Sequence, residues 1–174
     1  MHRIVTLIFI TIFFFNGLSQ AKEKIAFIDI NFIFLNSTAG KDINLNIKQK
    51  KEELDDQIKI FNNEINKKKE KLISQKNVLD PTEYSKNIKK LEDEINKTNS
   101  IISKKNQNLV LFQKKAEKEF SKKMNMIIEE YSISNSIDII FKKQDILMAK
   151  NELNITSDIL NLFNKKINKI NIDQ

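Results

Sequence analysis

The sequence of 174 residues has no cysteine and no tryptophan, and it has a single histidine, a single proline and two glycines. The histidine is His2, so the chain beyond residue 21 has neither imidazole nor thiolate chemistry and cannot form an ordinary zinc site. Only Gly40 remains there, which excludes a glycine-rich phosphate loop. We therefore predict that the protein is not an enzyme and uses no cofactor and no metal.

Arginine is almost as scarce, since Arg3 is the only one, although 30 basic residues against 23 acidic ones give the chain a formal charge of +7. Arginine is the side chain that makes bidentate contacts to bases and phosphates. Apart from phenylalanines on apolar seams, only Tyr84 and Tyr131 could stack on bases. We expect no specific nucleic acid partner, and any nonspecific affinity would fall steeply with salt.

A predominantly apolar run stands near the start of the chain, from Ile4 to Phe15, between Arg3 and the small residues Ser19 and Ala21. This pattern predicts a signal peptide over residues 1–21, with cleavage after Ala21. An uncleaved membrane anchor is the alternative, but the run is shorter than the roughly 18 to 20 residues that cross a bilayer. An exported chain without disulfides must obtain its stability from packing and association.

The middle of the chain has heptad spacing of apolar residues, first from Ile47 to Leu79 and again from Tyr84 onward. It predicts two helices of roughly 40 to 50 residues on either side of Pro81. Asp80 has the place of an N-cap and Pro81 that of the first helical residue, so we expect an antiparallel coiled-coil hairpin over 41–134 with its turn at 79–82. The alternative, one helix kinked at Pro81, would leave two seams exposed.

The two flanking segments, 22–40 and 135–174, have a different periodicity and predict a β-rich head. We expect strands at Lys24–Ile30, along the face of Ile137, Ile139 and Phe141, and around Ile146 to Lys150. A last helix, capped by Thr156, would bury one apolar face. Its residues are Ile159, Leu160, Phe163 and Ile167. The predicted fold class is α+β: a long helical hairpin projecting from a small head whose open sheet edges favour oligomers that share the sheet.

Several short motifs of the sequence resemble those of a known protein family. Lys24–Asp29 fits the pattern K-I-x-x-V-D with Ile28 for valine, Ala39–Lys41 supplies an A-G-K, and Ile137–Phe141 gives a late strand. The closing pattern D-I-T-x-x-V-L stands here as Asn154–Leu160. Asn154 replaces the acid, a departure that leaves Thr156 as the better cap candidate. In this order around a long hairpin, the motifs resemble the Skp family of periplasmic chaperones, also called the OmpH family.

The resemblance implies a homotrimer in which strands of three subunits form a small barrel and three hairpins hang from it as arms. In that family the cavity between the arms holds unfolded outer-membrane proteins in the periplasm without ATP. The expected partners are therefore unfolded outer-membrane proteins and further copies of the chain. The alternative function is a structural or adaptor hairpin of the cell envelope that docks one specific partner.

The predicted arm carries apolar residues that a two-helix seam cannot bury, and we predict that they make weak contacts with a client. They are Ile60, Ile73, Val78, Ile101, Val110 and Leu111. The alternative is that they are scattered surface residues that need no explanation.

Lysines on both sides of the turn form a second candidate set, which would attract acidic clients or anionic lipid headgroups. The set comprises Lys67, Lys68, Lys69, Lys71, Lys86, Lys89, Lys90, Lys97, Lys104 and Lys105. The alternative is the charged outer face that any solvated coiled coil has.

Overall fold

The computed structural model describes residues 23–172, so the predicted signal peptide and its cleavage site lie outside the described residues. The helices and strands, in chain order, are β1 (Ile25–Ile28), α1 (Ile30–Asn36), α2 (Thr38–Gln75), α3 (Pro81–Asn135), β2 (Ile139–Lys142) and α4 (Thr156–Lys166). The short 3-10 turns Lys143–Asp145 and Asn151–Leu153 join β2 to α4. This architecture confirms the predicted α+β class.

Helices α2 and α3, of 38 and 55 residues, form the predicted antiparallel hairpin. Leu54 and Ile65 of α2 and Leu91 of α3 are buried along the seam. Asp80 is the N-cap of α3 and accepts a hydrogen bond from Thr82 N at 2.8 Å, which holds the pKa of its carboxyl below the usual range. The hairpin, rather than a helix kinked at Pro81, is therefore the structure of this region.

The hydrophobic core lies where the roots of α2 and α3 meet the sheet, α1 and α4. Ile33, Ile159 and Phe163 are fully buried there. Phe120 of α3 presents its ring edge-on to Phe34 at a centroid distance of 4.8 Å and lies 5.0 Å from Phe163. Aromatic packing at this point joins α1, α3 and α4.

The junction between α1 and α2 depends on Ser37 and Gly40. Ser37 is the N-cap of α2, and its Oγ accepts a hydrogen bond from Gly40 N at 3.1 Å. A Cβ on Gly40 would lie 1.8 Å from the carbonyl oxygen of Phe34. The close approach of the two helices therefore requires glycine at this position.

Strands β1 and β2 pair in parallel, with Ile25 opposite Ile139 and Ile28 opposite Lys142. The two outward residues of β2, Ile139 and Phe141, are exposed, and Ile140 packs against the core. Parallel neighbours need a crossover connection, and here the whole hairpin forms it.

The third strand predicted around Ile146 to Lys150 is wrong, because this segment forms no ladder and lies between the two 3-10 turns. On the side of β1 away from β2, Phe27 instead forms a single bridge to Asn154, and Ile155 N donates to Phe27 O at 3.0 Å. The apolar residues of the segment favour a strand, but their pattern does not show whether a neighbouring strand has a free edge with which the segment can pair.

The cap predicted for α4 is also wrong, since Thr156 is the first residue of the helix rather than its N-cap. Asn154 Oδ1 accepts hydrogen bonds from Thr156 N at 3.0 Å and from Thr156 Oγ1 at 2.6 Å. Thr156 Oγ1 in turn accepts one from Asp29 N at 2.9 Å. The predicted apolar face of α4 is confirmed, because Ile159 and Phe163 are buried and Leu160 and Ile167 pack against the core.

Candidate binding surface of the helical arm

The predicted apolar contact residues all lie on the hairpin, which we call the arm. They are distributed along α2, the turn and α3, and their exposed fractions range from 47% to 80%. Ile60 and Ile73 lie on α2, Val78 in the turn, and Ile101, Val110 and Leu111 on α3.

Two polar contacts across the arm fix the register of α2 against α3. Lys105 Nζ donates to Gln57 Oε1, and Lys68 pairs with Glu94. Eleven residues separate Gln57 from Lys68, and eleven separate Lys105 from Glu94 in the opposite direction. Ile60, three residues beyond Gln57, therefore lies opposite residue 102 and at nearly the height of Ile101.

A groove of about 430 Å³ opens between α2 and α3 midway along the arm. It brings together two of the predicted residues, Leu111 and Lys105, and its other apolar walls are Leu54, Leu109 and Phe112. Lys50 Nζ lies 4.9 Å above the Phe112 ring at the edge of the groove. A cation over an aromatic face is attracted by the ring quadrupole.

A second hollow runs along α3 and contains Val110 and Leu111 together with Ile102, three amide side chains and the Ser103 hydroxyl. Ile60, Ile73 and Val78 line neither of these two concavities. The structure thus gathers part of the predicted apolar set near the middle of the arm and distributes the rest along it.

Sequence reasoning missed the groove because Leu109 and Phe112 occupy seam positions, which predict burial against α2. Both are only half-buried. The residue that faces Phe112 across the arm is Lys50, and a polar residue there leaves the seam unfilled. Aligning the heptads of α2 with those of α3 across the turn at Pro81 would have placed the polar Lys50 opposite the apolar Phe112.

Every lysine of the predicted set is exposed. Four lie on α2 before the turn and six on α3 after it. Lys68 pairs with Glu94, which reduces the net positive charge at that point, and Lys105 bonds to the neutral Gln57. The arm therefore combines exposed apolar side chains with a cationic outer face.

The head also exposes apolar side chains. Ile139 and Phe141 of β2 are about two-fifths exposed, and Leu147 and Met148 in the following loop are almost fully exposed. A shallow cavity in the head is lined by residues of α1, including Phe32 and Leu35, and by the loop after β2. Exposed apolar side chains in such number on a small head are a candidate contact site for another chain.

Two ionisable groups at the head, Tyr131 and Asp29, have structural partners. Tyr131 donates a hydrogen bond to Asp158 Oδ2 at 2.9 Å, and burial, together with that carboxylate, raises the tyrosine pKa. Asp29 accepts from Phe32 N and from Lys143 Nζ, both at 2.9 Å, and these bonds lower its pKa.

Among residues 23–172, no group of three acidic, histidine or cysteine side chains could hold a metal ion. Within the same residues, none of the helices has the length and hydropathy that crossing a membrane requires.

The fold and its surface define a class: a small α+β head that carries one long helical hairpin with apolar and cationic side chains exposed to solvent. A family model described as outer membrane protein (OmpH-like) matches residues 24–163. The chain belongs to the OmpH-like family, as its motifs predicted, and membership supports a chaperone role.

A solved structure has the same fold. The crystal structure of a candidate outer membrane chaperone (OmpH-like) from Caulobacter crescentus CB15 superposes with a TM-score of 0.80 at 12% sequence identity. The alignment covers 88% of this chain and 91% of that one. A search of curated proteins returned no match.

Proposed function

We propose that the protein is an ATP-independent holdase of the periplasm that binds unfolded outer-membrane proteins between helical arms and prevents their aggregation before membrane insertion. The observation that supports this most directly is the arm itself, on which isolated apolar side chains such as Ile60, Ile73 and Ile101 remain exposed among lysines. Many weak and dispersed contacts suit a client without fixed structure.

The chemistry of the clients fits such a surface. A strand of an outer-membrane barrel alternates apolar and polar residues, and its unpaired edges aggregate in water. Isolated apolar side chains can hold such a strand transiently, and lysines raise the rate of encounter with acidic segments or with anionic lipid headgroups. Separating one client from the next requires confinement rather than tight binding to one sequence.

We further propose a homotrimer whose subunits associate through the head. The exposed side chains Ile139, Phe141, Leu147 and Met148 support this, because a single subunit leaves them in contact with water. Strand β2 pairs only with β1 in the described chain, so its other edge is available to a second copy. Association would bury that apolar surface and place several arms around one cavity.

The test is light scattering after a urea-unfolded porin is diluted into buffer that contains the protein without residues 1–21 and no nucleotide. Suppression of aggregation that saturates near three chains per porin is expected. Sedimentation velocity of the same sample gives the oligomeric state independently. Absence of suppression at large excess would contradict the holdase.

The alternative, an adaptor that docks one partner, has one observation in its favour, since Val78 at the turn is 80% exposed. In the same assay, a Val78→Ser variant distinguishes the two functions. Loss of porin holding through Val78 alone would favour docking at the turn, whereas a holdase with dispersed contacts retains most of its activity.

A further inference from the structure

The segment Ile167–Ile172 follows α4 and lies beyond the residues that match the family model, which end at residue 163. It is nevertheless packed against the protein. Ile170 is only 5% exposed and belongs to the core, and Ile167 and Ile172 are partly buried against it. Three isoleucines separated by polar residues thus attach a stretch of chain without regular secondary structure to the molecule.

The surface that receives this segment extends along the arm from its root to the level of the Phe112 ring. Lys169–Ile172 line one groove of about 380 Å³ together with Asp42, Asn46 and Glu53 of α2 and Phe112 of α3. The segment therefore leaves the head and runs beside the first turns of α2. It reaches the level at which Lys50 lies over Phe112.

The start of the segment is fixed at two points by the end of α4. Asn164 Oδ1 accepts a hydrogen bond from Thr38 N, the first residue of α2, at 2.9 Å. Lys166 forms an ion pair with Glu130 on α3. Both arm helices are therefore tied to the end of α4 immediately before the segment turns along α2.

We propose that residues 167–172 act as a strap that sets the inclination and stiffness of the arm relative to the head. A helix of 38 residues is about 57 Å long, so a tilt of about 10° at its root would move the turn by about 10 Å. Contacts at the root thus control the position of the far end. Ile170 is buried, and a tilt of the arm would expose its apolar surface to water. The free-energy cost of that exposure opposes the tilt.

The absence of cysteine in the natural sequence allows a direct measurement. Spin labels are placed at Asn77→Cys in the turn and Asn161→Cys on α4, both exposed. The labelled chain is mixed with an excess of unlabelled chain, so that double electron–electron resonance reports distances within one subunit. The strap is tested by Ile170→Asn and by a variant that stops after Lys166, with Asn171→Ala at an exposed strap position as the matched control.

We expect the distance distribution to broaden about 1.5-fold or more in both strap variants, since a root freed of these contacts samples more tilts, and to stay unchanged in Asn171→Ala. Unchanged widths in both strap variants, with the helical circular dichroism retained, would overturn the proposal.

Hydrogen exchange provides a second measurement if the shortened chain does not fold. In Ile170→Ala, amide exchange in residues 42–53 should accelerate about tenfold while that of residues 60–75 stays the same. Equal acceleration along the whole arm, or none at all, would contradict a strap. None of these measurements requires a client, so they are independent of the holdase.

Discussion

Asp29 accepts a hydrogen bond from Lys143 Nζ at 2.9 Å, although 114 residues separate them in the chain. The same carboxyl group caps α1 by accepting from Phe32 N. The backbone N–H of Asp29 donates to Thr156 at the start of α4. One residue at the end of β1 thus connects α1, the loop after β2, and α4.

Asp29 gives the first prediction, an acid-dependent contribution to stability. Because its pKa is lowered in the folded state, its stabilisation is complete above the unfolded pKa of about 3.8 and is lost as pH falls below that value and through the lower folded pKa. Asp29→Asn should flatten the fall of unfolding free energy over this range, whereas Asp29→Ala should also cost about 1 kcal/mol at pH 7 through the lost cap. Urea unfolding at several pH values measures both effects.

The matched control for Asp29 is Asp145→Asn, an exposed carboxylate in the turn after β2. It should leave the acid dependence of unfolding as it is in the natural sequence. An identical pH profile for Asp29→Asn and the natural sequence would show that the lowered pKa does not stabilise the fold.

Gly40 gives the second prediction. Gly40→Ala would place a methyl group 1.8 Å from Phe34 O, so α1 and α2 must separate, at a cost of about 1 to 3 kcal/mol in unfolding free energy. Thr38→Ala, on an exposed side chain two residues earlier, is the control and should change it by less than about 0.5 kcal/mol. Thermal unfolding followed by circular dichroism compares the two variants. Equal unfolding midpoints would contradict the close approach of α1 and α2 at Gly40.

The third prediction concerns the aromatic contact at the root of the arm. Phe120→Ala removes a ring that is 3% exposed and contacts both Phe34 and Phe163, and it should cost about 3 to 5 kcal/mol. Phe141→Ala, whose ring is 44% exposed on β2, is the comparison and should cost much less in a dissociated subunit. Chemical denaturation at low protein concentration measures the difference, and similar losses would place the core elsewhere.

The fourth prediction tests dispersed apolar contacts on the arm. Replacing Ile60, Ile73 and Ile101 together with serine should raise the protein concentration needed for half-maximal suppression of porin aggregation several-fold, because exposed apolar side chains on the arm are lost. Helical content should stay the same. The matched triple variant Leu45→Ser, Met126→Ser and Ile133→Ser changes exposed apolar residues near the root of the arm. If both triple variants raise the concentration for half-maximal suppression equally, the middle and tip of the arm have no special role in client binding.

The lysines of the arm give the fifth prediction. If they speed capture, the association rate with an acidic client should fall as salt rises from low to physiological concentration, where the Debye length is about 8 Å. Lys67→Gln with Lys69→Gln should weaken this dependence, while Lys165→Gln on α4 serves as a control remote from the turn. A salt-independent rate would leave solubility as the role of these lysines.

The hairpin could be predicted from sequence because local rules specify it: heptad spacing gives the seam, and Asp80 with Pro81 gives the turn. The apolar face of α4 followed from helical periodicity in the same way. The loop around Leu147 could not be predicted, since a strand needs a partner edge as well as suitable residues. The groove at Phe112 depends on which residue of α2 faces it, and single-helix patterns do not contain that pairing.

The parallel pairing of β1 with β2 has a consequence for the order of folding. Ile25 and Ile139 are neighbours in the sheet, yet the whole arm lies between them in sequence. Joining such distant segments has a large entropic cost of loop closure. This cost falls once α2 and α3 have packed against each other, starting at their turn. The head can therefore assemble only after β2 and α4, which follow the arm in the chain, have been synthesised. Until then the apolar β1 segment has no partner strand.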